Sequence, residues 1–236
     1  MNKTLVLDIE TRPTTAYVWQ LYDVDISLEQ IVDAGGVLCF GAKWLDSSKT
    51  LFYSDWQHGH ARMVKEAHKL LCEAEAVITY NGDRFDLPKL KGEFLVSLLP
   101  PPPPLTSIDV IKIVRKMGLL SSKLGFVGPF IQAGEKVKHE GFSLWKNVIA
   151  GQKSAQKNMQ KYCLQDVLLL EKVYKKLLPY IHNHPRLIDG SAEACGACGK
   201  HRLQRRGLRR TKSFSIQRLQ CQACGSWRDG EKKKAA

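Results

Sequence analysis

The sequence predicts an α/β protein with a mixed five-stranded β-sheet, helices on both faces and a small cysteine-bearing unit at the C-terminus. Three apolar, strand-like segments lie close together at residues 4–10, 35–45 and 49–56, a spacing that predicts an antiparallel meander. Two later strand-like segments, 76–82 and 105–110, alternate with helical patterns, which is typical of parallel pairing. The last four cysteines form two C-x-x-C pairs, which indicate a metal-stabilised unit.

Helical periodicity defines the elements between and after these strands. Residues 60–74 carry apolar side chains at helical spacing, and residues 87–99 and 111–118 predict further helices, the last of them stopped at a glycine. The segment 119–151 predicts short helices and loops. Residues 153–178 predict the longest helix, which ends near a proline.

Length and composition set the domain organisation. The chain has 236 residues, 44% of them hydrophobic, which suffices for one sizeable core and a small appendage. We therefore predict a larger domain at residues 1–188 and a small unit at 189–236. No apolar run approaches the roughly 20 residues of a membrane span. Two acidic residues interrupt the N-terminal apolar run too early for a signal peptide, so we expect a cytoplasmic protein.

The positive charge is concentrated near the C-terminus. The net charge is +13, and residues 189–236 hold 12 lysines and arginines against 4 acidic residues. Such density indicates a polyanionic partner, most simply nucleic acid. A solvated surface that aids solubility is the alternative, and charge alone does not separate the two.

The segment LVLDIET, residues 5–11, places Asp8 and Glu10 in an otherwise apolar strand. Because side chains two apart on a strand share a face, the two carboxylates project as a pair. Charges in such a strand are costly unless they are paired or bind a cation. The D-x-E pattern by itself is a weak signal, since a surface strand can show it by chance.

Two further acidic segments complete the pattern. In NGDRFD, Asp86 follows the fourth strand; taken alone it reads as the N-cap of the helix at 87–99. In YCLQD, Tyr162 and Asp166 are four residues apart on the long helix and share a face, as an ordinary amphipathic helix would also allow. Asp109 is a candidate of lower rank, better explained as a strand-end residue that starts a turn.

Together, D-x-E, N-x-x-x-F-D and Y-x-x-x-D resemble the three motifs of the DEDDy group of 3′→5′ exonucleases, over about residues 4–180. The segments TRPTTAYVW and GGVLCFGAKWL further resemble phage and bacterial members. If the protein is phage-encoded, we expect it in the host cytoplasm. The resemblance implies a ribonuclease H-like fold and a two-metal mechanism with Mg²⁺ or Mn²⁺. In the sister subgroup a histidine stands one position before the tyrosine; here that position is Lys161, which favours the tyrosine form.

The resemblance also implies residue roles. Asp8, Glu10, Asp86 and Asp166 would hold the two metal ions, since hard cations prefer oxygen ligands. Tyr162 would orient the attacking water. Asn81 and Phe85, in the second motif, are expected to contact the 3′-terminal nucleotide.

The cysteine pairs predict a structural zinc site. Cys195, Cys198, Cys221 and Cys224 have nearly the spacing of a zinc ribbon, and a disulfide framework is unusual for a cytosolic protein. The intervening segment reads as strand, turn, strand. The arginines expected to bind phosphates are Arg205, Arg206, Arg209, Arg210 and Arg218. The other cysteines, Cys39, Cys72 and Cys163, are predicted to be buried packing residues.

The sequence thus predicts a metal-dependent 3′→5′ exonuclease, with single-stranded DNA 3′ ends favoured and a zinc ribbon that binds the substrate. A structure-specific endonuclease and a non-catalytic nucleic-acid adaptor are the alternatives. Replication or repair proteins are possible further partners. The sequence does not determine the oligomeric state.

Overall fold

The computed structural model describes residues 3–182, 184–188 and 193–234. Single 3₁₀ turns cover Leu28–Gln30, Arg115–Met117 and Leu178–Tyr180. In chain order the strands and α-helices are β1 (Thr4–Arg12), β2 (Thr15–Ala16), β3 (Ile31–Asp33), β4 (Gly36–Trp44), β5 (Thr50–Ser54), α1 (Asp55–His58), α2 (His60–Glu73), β6 (Ala76–Thr79), α3 (Asp86–Val96), β7 (Thr106–Asp109), α4 (Val110–Val114), α5 (Leu124–Phe130), α6 (Phe142–Ile149), α7 (Lys153–Leu177), β8 (Leu203–Arg210), β9 (Phe214–Cys221) and β10 (Trp227–Lys234).

The main sheet has five strands, as predicted, and their order is β5-β4-β1-β6-β7. β1 pairs antiparallel with β4 and parallel with β6, so it lies at the centre of a mixed sheet. Its residues Leu5, Val6 and Leu7 are at most 1% exposed. A strand covered on both faces is a near-continuous apolar run, which explains why the two carboxylates of β1 stand out in the sequence.

Helices cover both faces of this sheet. On one face, α2 and α3 pack against Leu5, Leu7 and Ile9 in one apolar cluster. On the other, α5 and α7 pack against Val6 and Ile78, and α6 packs on α7. Odd-numbered residues of β1 therefore face α2 and α3, and even-numbered residues, Asp8 and Glu10 among them, face α7.

A glycine allows α7 to lie close to the sheet. Gly41 of β4 is paired with Asp8, and a Cβ atom at Gly41 would lie 3.1 Å from Sγ of Cys163 and 3.1 Å from Cγ2 of Val167. Because both contacting residues belong to α7, the missing side chain sets the spacing between this helix and β1.

The C-terminal unit is a three-stranded antiparallel sheet in the order β10-β9-β8. β8 and β9 are the predicted strand–turn–strand, whereas β10 was not predicted, because its sequence WRDGEKKK has no apolar alternation and forms a strand only by pairing with β9. Cys195 and Cys221 belong to the same apolar cluster as Leu177, Leu178 and Ile181 at the end of α7. Residues 189–192, at the predicted boundary between the two units, lie outside the described residues.

Smaller features also differ from the sequence analysis. The short hairpin of β2 and β3 was not predicted. Cys39 and Cys163 are buried as predicted, but Cys72 is exposed, because it occupies the solvent side of α2 next to the buried Leu71. Among the described helices, none is both long and apolar enough to cross a bilayer.

Candidate active site and cysteine cluster

The first two candidate residues lie on β1 beyond its pairing with β6, where it still pairs with β4. Asp8 is paired with Gly41 and Glu10 with Cys39, and the register between β1 and β4 shifts directly after Glu10. Such irregularities bend a strand and redirect side chains, and they are frequent next to active sites. Both carboxylates point toward α7.

The third carboxylate comes from α7. Asp166 is 2% exposed, and one oxygen of each of Asp8, Glu10 and Asp166 lies within 4.8 Å of the others. Tyr162 lies one turn earlier on α7, so its side chain and the Asp166 carboxylate share one face of the helix. The fold therefore brings together residues about 160 positions apart, as the sequence pattern predicted.

Asp86 lies beside this group but is not part of it. It occupies the first turn of α3, where Phe85 is the N-cap residue, so the N-cap interpretation of Asp86 is wrong. Instead its Oδ1 accepts a hydrogen bond from the backbone N–H of Ile9 at 3.1 Å. This bond holds the Asp86 carboxylate against β1, between the two acidic residues of that strand.

Burial, with repulsion between some of the carboxylates, raises the pKa values of these acids. Burial, followed by the charges of Asp86, Glu10 and Asp166, raises the pKa of Asp8 well above its ordinary value. Burial and Asp166 raise the pKa of Glu10 to about 8. Burial raises the pKa of Asp86 to about 7, although the hydrogen bond from Ile9 lowers it. Because each shift arises from placing negative charge in one small buried volume, a cation between the oxygens would relieve them all.

A lysine that the sequence analysis missed also enters the group. Nζ of Lys136, on the loop between α5 and α6, lies 2.6 Å from Oδ2 of Asp166 and donates to the Tyr162 hydroxyl at 3.0 Å. Burial lowers the pKa of Lys136, but Asp166 and Tyr162 raise it above its usual range, so the ammonium stays charged. Nothing in the sequence around this loop lysine distinguishes it from a surface lysine.

The donor set suits a hard divalent cation. The ligand atoms are all carboxylate oxygens, the type that Mg²⁺ and Mn²⁺ prefer. Within the described part of the chain, Oδ1 of Asp166 is buried without a hydrogen-bond partner, while Oδ2 is held by Lys136. A buried carboxylate oxygen without a partner is costly, and a metal ion would satisfy it.

Asp109 hydrogen-bonds to the turn that contains the second motif, residues 81–86. Its two carboxylate oxygens accept hydrogen bonds from the backbone N–H groups of Asn81, at 2.7 Å, and Asp83, at 3.3 Å. Asn81 has a φ of 69°, a conformation that asparagine tolerates better than most residues. Asp109 thus fixes the turn that leads to Asp86, which agrees with a structural role. Phe85 is 39% exposed beside this turn, and its expected contact with a nucleotide stays a prediction.

The four C-terminal cysteines form a second potential metal site. Their sulfur atoms all lie within 4.8 Å of one another. The distances are 3.7 Å from Cys195 to Cys224 and 3.7 Å from Cys198 to Cys221. A tetrahedron with zinc–sulfur bonds of about 2.3 Å has edges of about 3.8 Å, so this spacing is compatible with a zinc ribbon.

Hydrogen bonds between the cysteines shift the pKa values of these thiols. A hydrogen bond from Cys224 lowers the pKa of Cys195, while the same contact raises the pKa of Cys224. Glycines at 199 and 225, both with positive φ, let the chain reverse after each pair. As with the carboxylates, two neighbouring sulfurs repel each other when both ionise, and a dication removes that cost.

The ribbon arginines mostly face solvent. Arg205, Arg206 and Arg210 on β8 are exposed. Arg209 pairs with Asp229 at 2.5 Å, and the Arg218 guanidinium lies 4.6 Å from the centre of the Trp227 ring. The first three are therefore the freest of the predicted set to meet a phosphate.

Comparisons with known proteins agree with this geometry. The model of the RNase_H superfamily matches residues 5–178, and the chain belongs to this superfamily. Membership supports nuclease activity on nucleic acid. No curated protein matches the chain significantly.

A similar solved structure is the family B DNA polymerase from the hyperthermophilic archaeon Pyrobaculum calidifontis. It matches with a TM-score of 0.57 and 16% identity, over 75% of this chain and 24% of the polymerase. At that identity the likeness concerns the fold. This chain spans about a quarter of the length of the polymerase.

Proposed function

We propose that this protein is a metal-dependent 3′→5′ exonuclease of the DEDDy type that removes nucleotides from single-stranded nucleic acid, DNA favoured. The observation that carries the proposal is the meeting of Asp8, Glu10 and Asp166 within 4.8 Å, with Tyr162 one turn before Asp166 on α7 and Asp86 held alongside by Ile9. Superfamily membership supports the nuclease class, and the fold shared with a DNA polymerase favours DNA.

The four acids are the proposed ligands of Mg²⁺ or Mn²⁺. Two such ions supply an activated water and stabilise the leaving oxygen of the phosphodiester. Asp8, Glu10 and Asp166 are already close enough to share an ion. Asp86 reaches the group from the opposite side of β1, where its bond to Ile9 restricts its orientation.

Tyr162 has a positioning role in this proposal. Burial, reinforced by Asp166 and Glu10, raises the pKa of its phenol above the ordinary value, so the hydroxyl stays protonated at neutral pH. A neutral phenol is a poor base but a good hydrogen-bonding group for orienting a water. Lys136 donates to the same hydroxyl and keeps the Tyr162 ring against Asp166.

The cysteine unit is proposed to hold one structural Zn²⁺ and to bind substrate phosphates without base specificity. The near-tetrahedral sulfur spacing supports the zinc. The exposed arginines of β8 support the phosphate contacts, since such contacts supply affinity but no sequence preference.

A 5′-labelled single-stranded DNA of about 20 nucleotides tests the activity and its direction. We expect a ladder that shortens from the 3′ end, that requires added Mg²⁺ or Mn²⁺, and that Asp8→Asn abolishes. Glu73 is an exposed acidic residue on α2, so Glu73→Gln is the matched control and should cleave the strand at the wild-type rate.

Other outcomes of this assay identify the alternatives. Discrete internal cuts would overturn the exonuclease and identify an endonuclease. Binding without metal-dependent cleavage would identify an adaptor. The same labelled strand made of RNA tests the preference for DNA.

A further inference from the structure

A row of lysines on α7 leads to the candidate active site. Lys153, Lys157 and Lys161 are exposed and four residues apart, so they share one face of the helix, about 6 Å apart along its axis. Lys161 directly precedes Tyr162. The row therefore ends at the metal-binding group.

This row differs from an ordinary charged helix face. Exposed helices gain stability from pairs of opposite charge four residues apart, whereas like charges at that spacing are destabilising. Residues 141–165 contain four lysines and no acidic residue. An arrangement that costs the free protein stability is expected where an anion neutralises it.

Two clefts follow the row and add neutral hydrogen-bonding groups. The first, of about 430 Å³, lies at Lys153 and Lys157 and is lined by the amide side chains of Gln57, Gln156 and Gln160. The second, of about 380 Å³, lies at Lys161 and adds Asn158, Lys138 and one acid, Glu140. Amides and ammonium groups are typical partners of nucleic-acid phosphates and sugars.

An aromatic cleft lies where the row ends. It has a volume of about 400 Å³, and Glu10 and Pro13 line one side while Phe142 and Trp145 line the other. His139 borders both this cleft and the second cleft of the row, with its ring centre 4.8 Å from that of Tyr162. Phe142 is 62% exposed, so its ring is available for stacking.

The segment that joins β1 to β4 carries negative charge without positive charge. Residues 13–42, which lead from β1 to β4, hold four acidic and no basic residues, and Trp19 and Tyr22 are largely exposed there. A polyanionic strand therefore meets attraction along α7 and repulsion along this segment.

We propose that the substrate strand runs along α7, with its phosphates on Lys153, Lys157 and Lys161 and the base of its 3′-terminal nucleotide in the cleft of Phe142 and Trp145. This inference rests on the proposed function and names the path of its substrate. A flat apolar cleft accepts an unpaired base by stacking, which selects single-stranded 3′ ends. The strand arrives from the N-terminal end of α7, whereas the cysteine unit packs at the C-terminal end. The phosphates proposed to contact the arginines of the cysteine unit therefore belong to a different part of the nucleic acid from those on the lysine row.

A matched pair of triple variants tests the lysine row. Lys153→Gln, Lys157→Gln and Lys161→Gln are combined in one protein. The control combines Lys65→Gln, Lys89→Gln and Lys91→Gln on α2 and α3, which loses the same charge on the other face of the sheet. The triple variant on α7 should bind a 20-nucleotide strand roughly 10- to 100-fold more weakly than wild type, and the control variant should not. The slope of log K against log salt should fall by about 2 in the α7 variant, because each lost phosphate contact contributes about 0.7.

A length comparison separates this effect from damage to the site. A trinucleotide at the active site reaches no further along the row than Lys161. The first triple variant should therefore lose far less trinucleotide cleavage than 20-nucleotide binding, and the control variant should cleave the trinucleotide at the wild-type rate. Equal loss of 20-nucleotide binding in the two variants would overturn the path along α7. Binding measured in an Asp8→Asn background remains informative even if no nuclease activity is found, so failure of the proposed function is distinguishable.

The aromatic cleft is tested through the terminal base itself. Wild type should bind a strand with a normal 3′-terminal nucleotide about 10-fold or more tightly than one whose terminal nucleotide is abasic. Phe142→Ala should lose most of this difference, while Phe130→Ala, an equally exposed aromatic on α5, should keep it. A difference unchanged in Phe142→Ala would remove the terminal base from this cleft.

Discussion

Among the residues that the structure describes, two clusters of potential metal ligands differ in construction. The cysteine cluster comes from two local C-x-x-C turns with 22 residues between them. The distances from Cys195 to Cys224 and from Cys198 to Cys221 are close to the edge length of a zinc–sulfur tetrahedron. The carboxylate cluster joins β1 to α7 across about 160 residues, and one of its oxygens is held by a lysine while another has no partner among the described residues.

The difference fits the proposed roles of the two clusters, catalytic for the carboxylates and structural for the cysteines. Structural sites are closed by protein ligands, whereas catalytic sites keep positions open for water and substrate. α7 links the two, because Asp166 lies in its middle and Leu177 at its end packs with Cys195 and Cys221. The comparison therefore predicts that damage to one cluster affects chemistry and damage to the other affects stability.

The largest expected effect separates the two clusters directly. Asp8→Asn or Asp166→Asn should lower the cleavage rate at least 1000-fold, because a neutral amide is a weak ligand for Mg²⁺ and the chemistry depends on bound metal. Zinc content, measured by atomic absorption, should remain at one equivalent per chain. Activity within threefold of wild type in either variant would contradict the assignment.

The reciprocal change is Cys221→Ser. Loss of one thiolate should release the zinc and destabilise the protein by several kcal/mol, lowering the thermal midpoint by roughly 10 °C or more, because Cys221 also packs against the end of α7. Below its midpoint the variant should still degrade a trinucleotide. Cys72→Ser, at an exposed cysteine, is the control and should leave both zinc and midpoint unchanged.

A smaller effect is expected from Tyr162→Phe. Loss of the hydroxyl should slow cleavage roughly 10- to 1000-fold, about 1.4 to 4 kcal/mol, since orienting a water supplies only part of the catalysis. Calorimetry should give nearly unchanged Mn²⁺ affinity, because the four carboxylates remain. A variant that no longer binds Mn²⁺ would mean that Tyr162 is a ligand.

The smallest expected effect comes from Gly41→Ala. A methyl group 3.1 Å from Cys163 and Val167 should push α7 from the sheet and destabilise the fold by about 1–3 kcal/mol. The same shift should separate Asp166 from Asp8 and weaken Mn²⁺ binding severalfold, with zinc unaffected. Gly59→Ala is the control, because a Cβ atom at Gly59 would meet no atom within 4 Å. Its positive φ means that the replacement should lower stability, but the Mn²⁺ affinity should stay unchanged.

Much of the fold follows from the order of residues along the chain. Apolar runs and helical periodicity predicted the five main strands and the long helix, because each element carries its own pattern of burial. The motif acids and the cysteine pairs were also visible, since D-x-E, Y-x-x-x-D and C-x-x-C each arise from the geometry of one strand, helix or turn. For the same reason the cysteine cluster was the easier of the two to predict.

The tertiary structure alone decided how these pieces meet. In the folded protein, Lys136 contacts Asp166 and Tyr162, and Asp86 accepts a hydrogen bond from the backbone N–H of Ile9. The cysteine turns pack against the end of α7. The tertiary structure also formed β10, which has no pattern of its own. These features depend on contacts between residues far apart in sequence. Such contacts follow from how the helices and sheets pack and leave no periodic pattern in the chain.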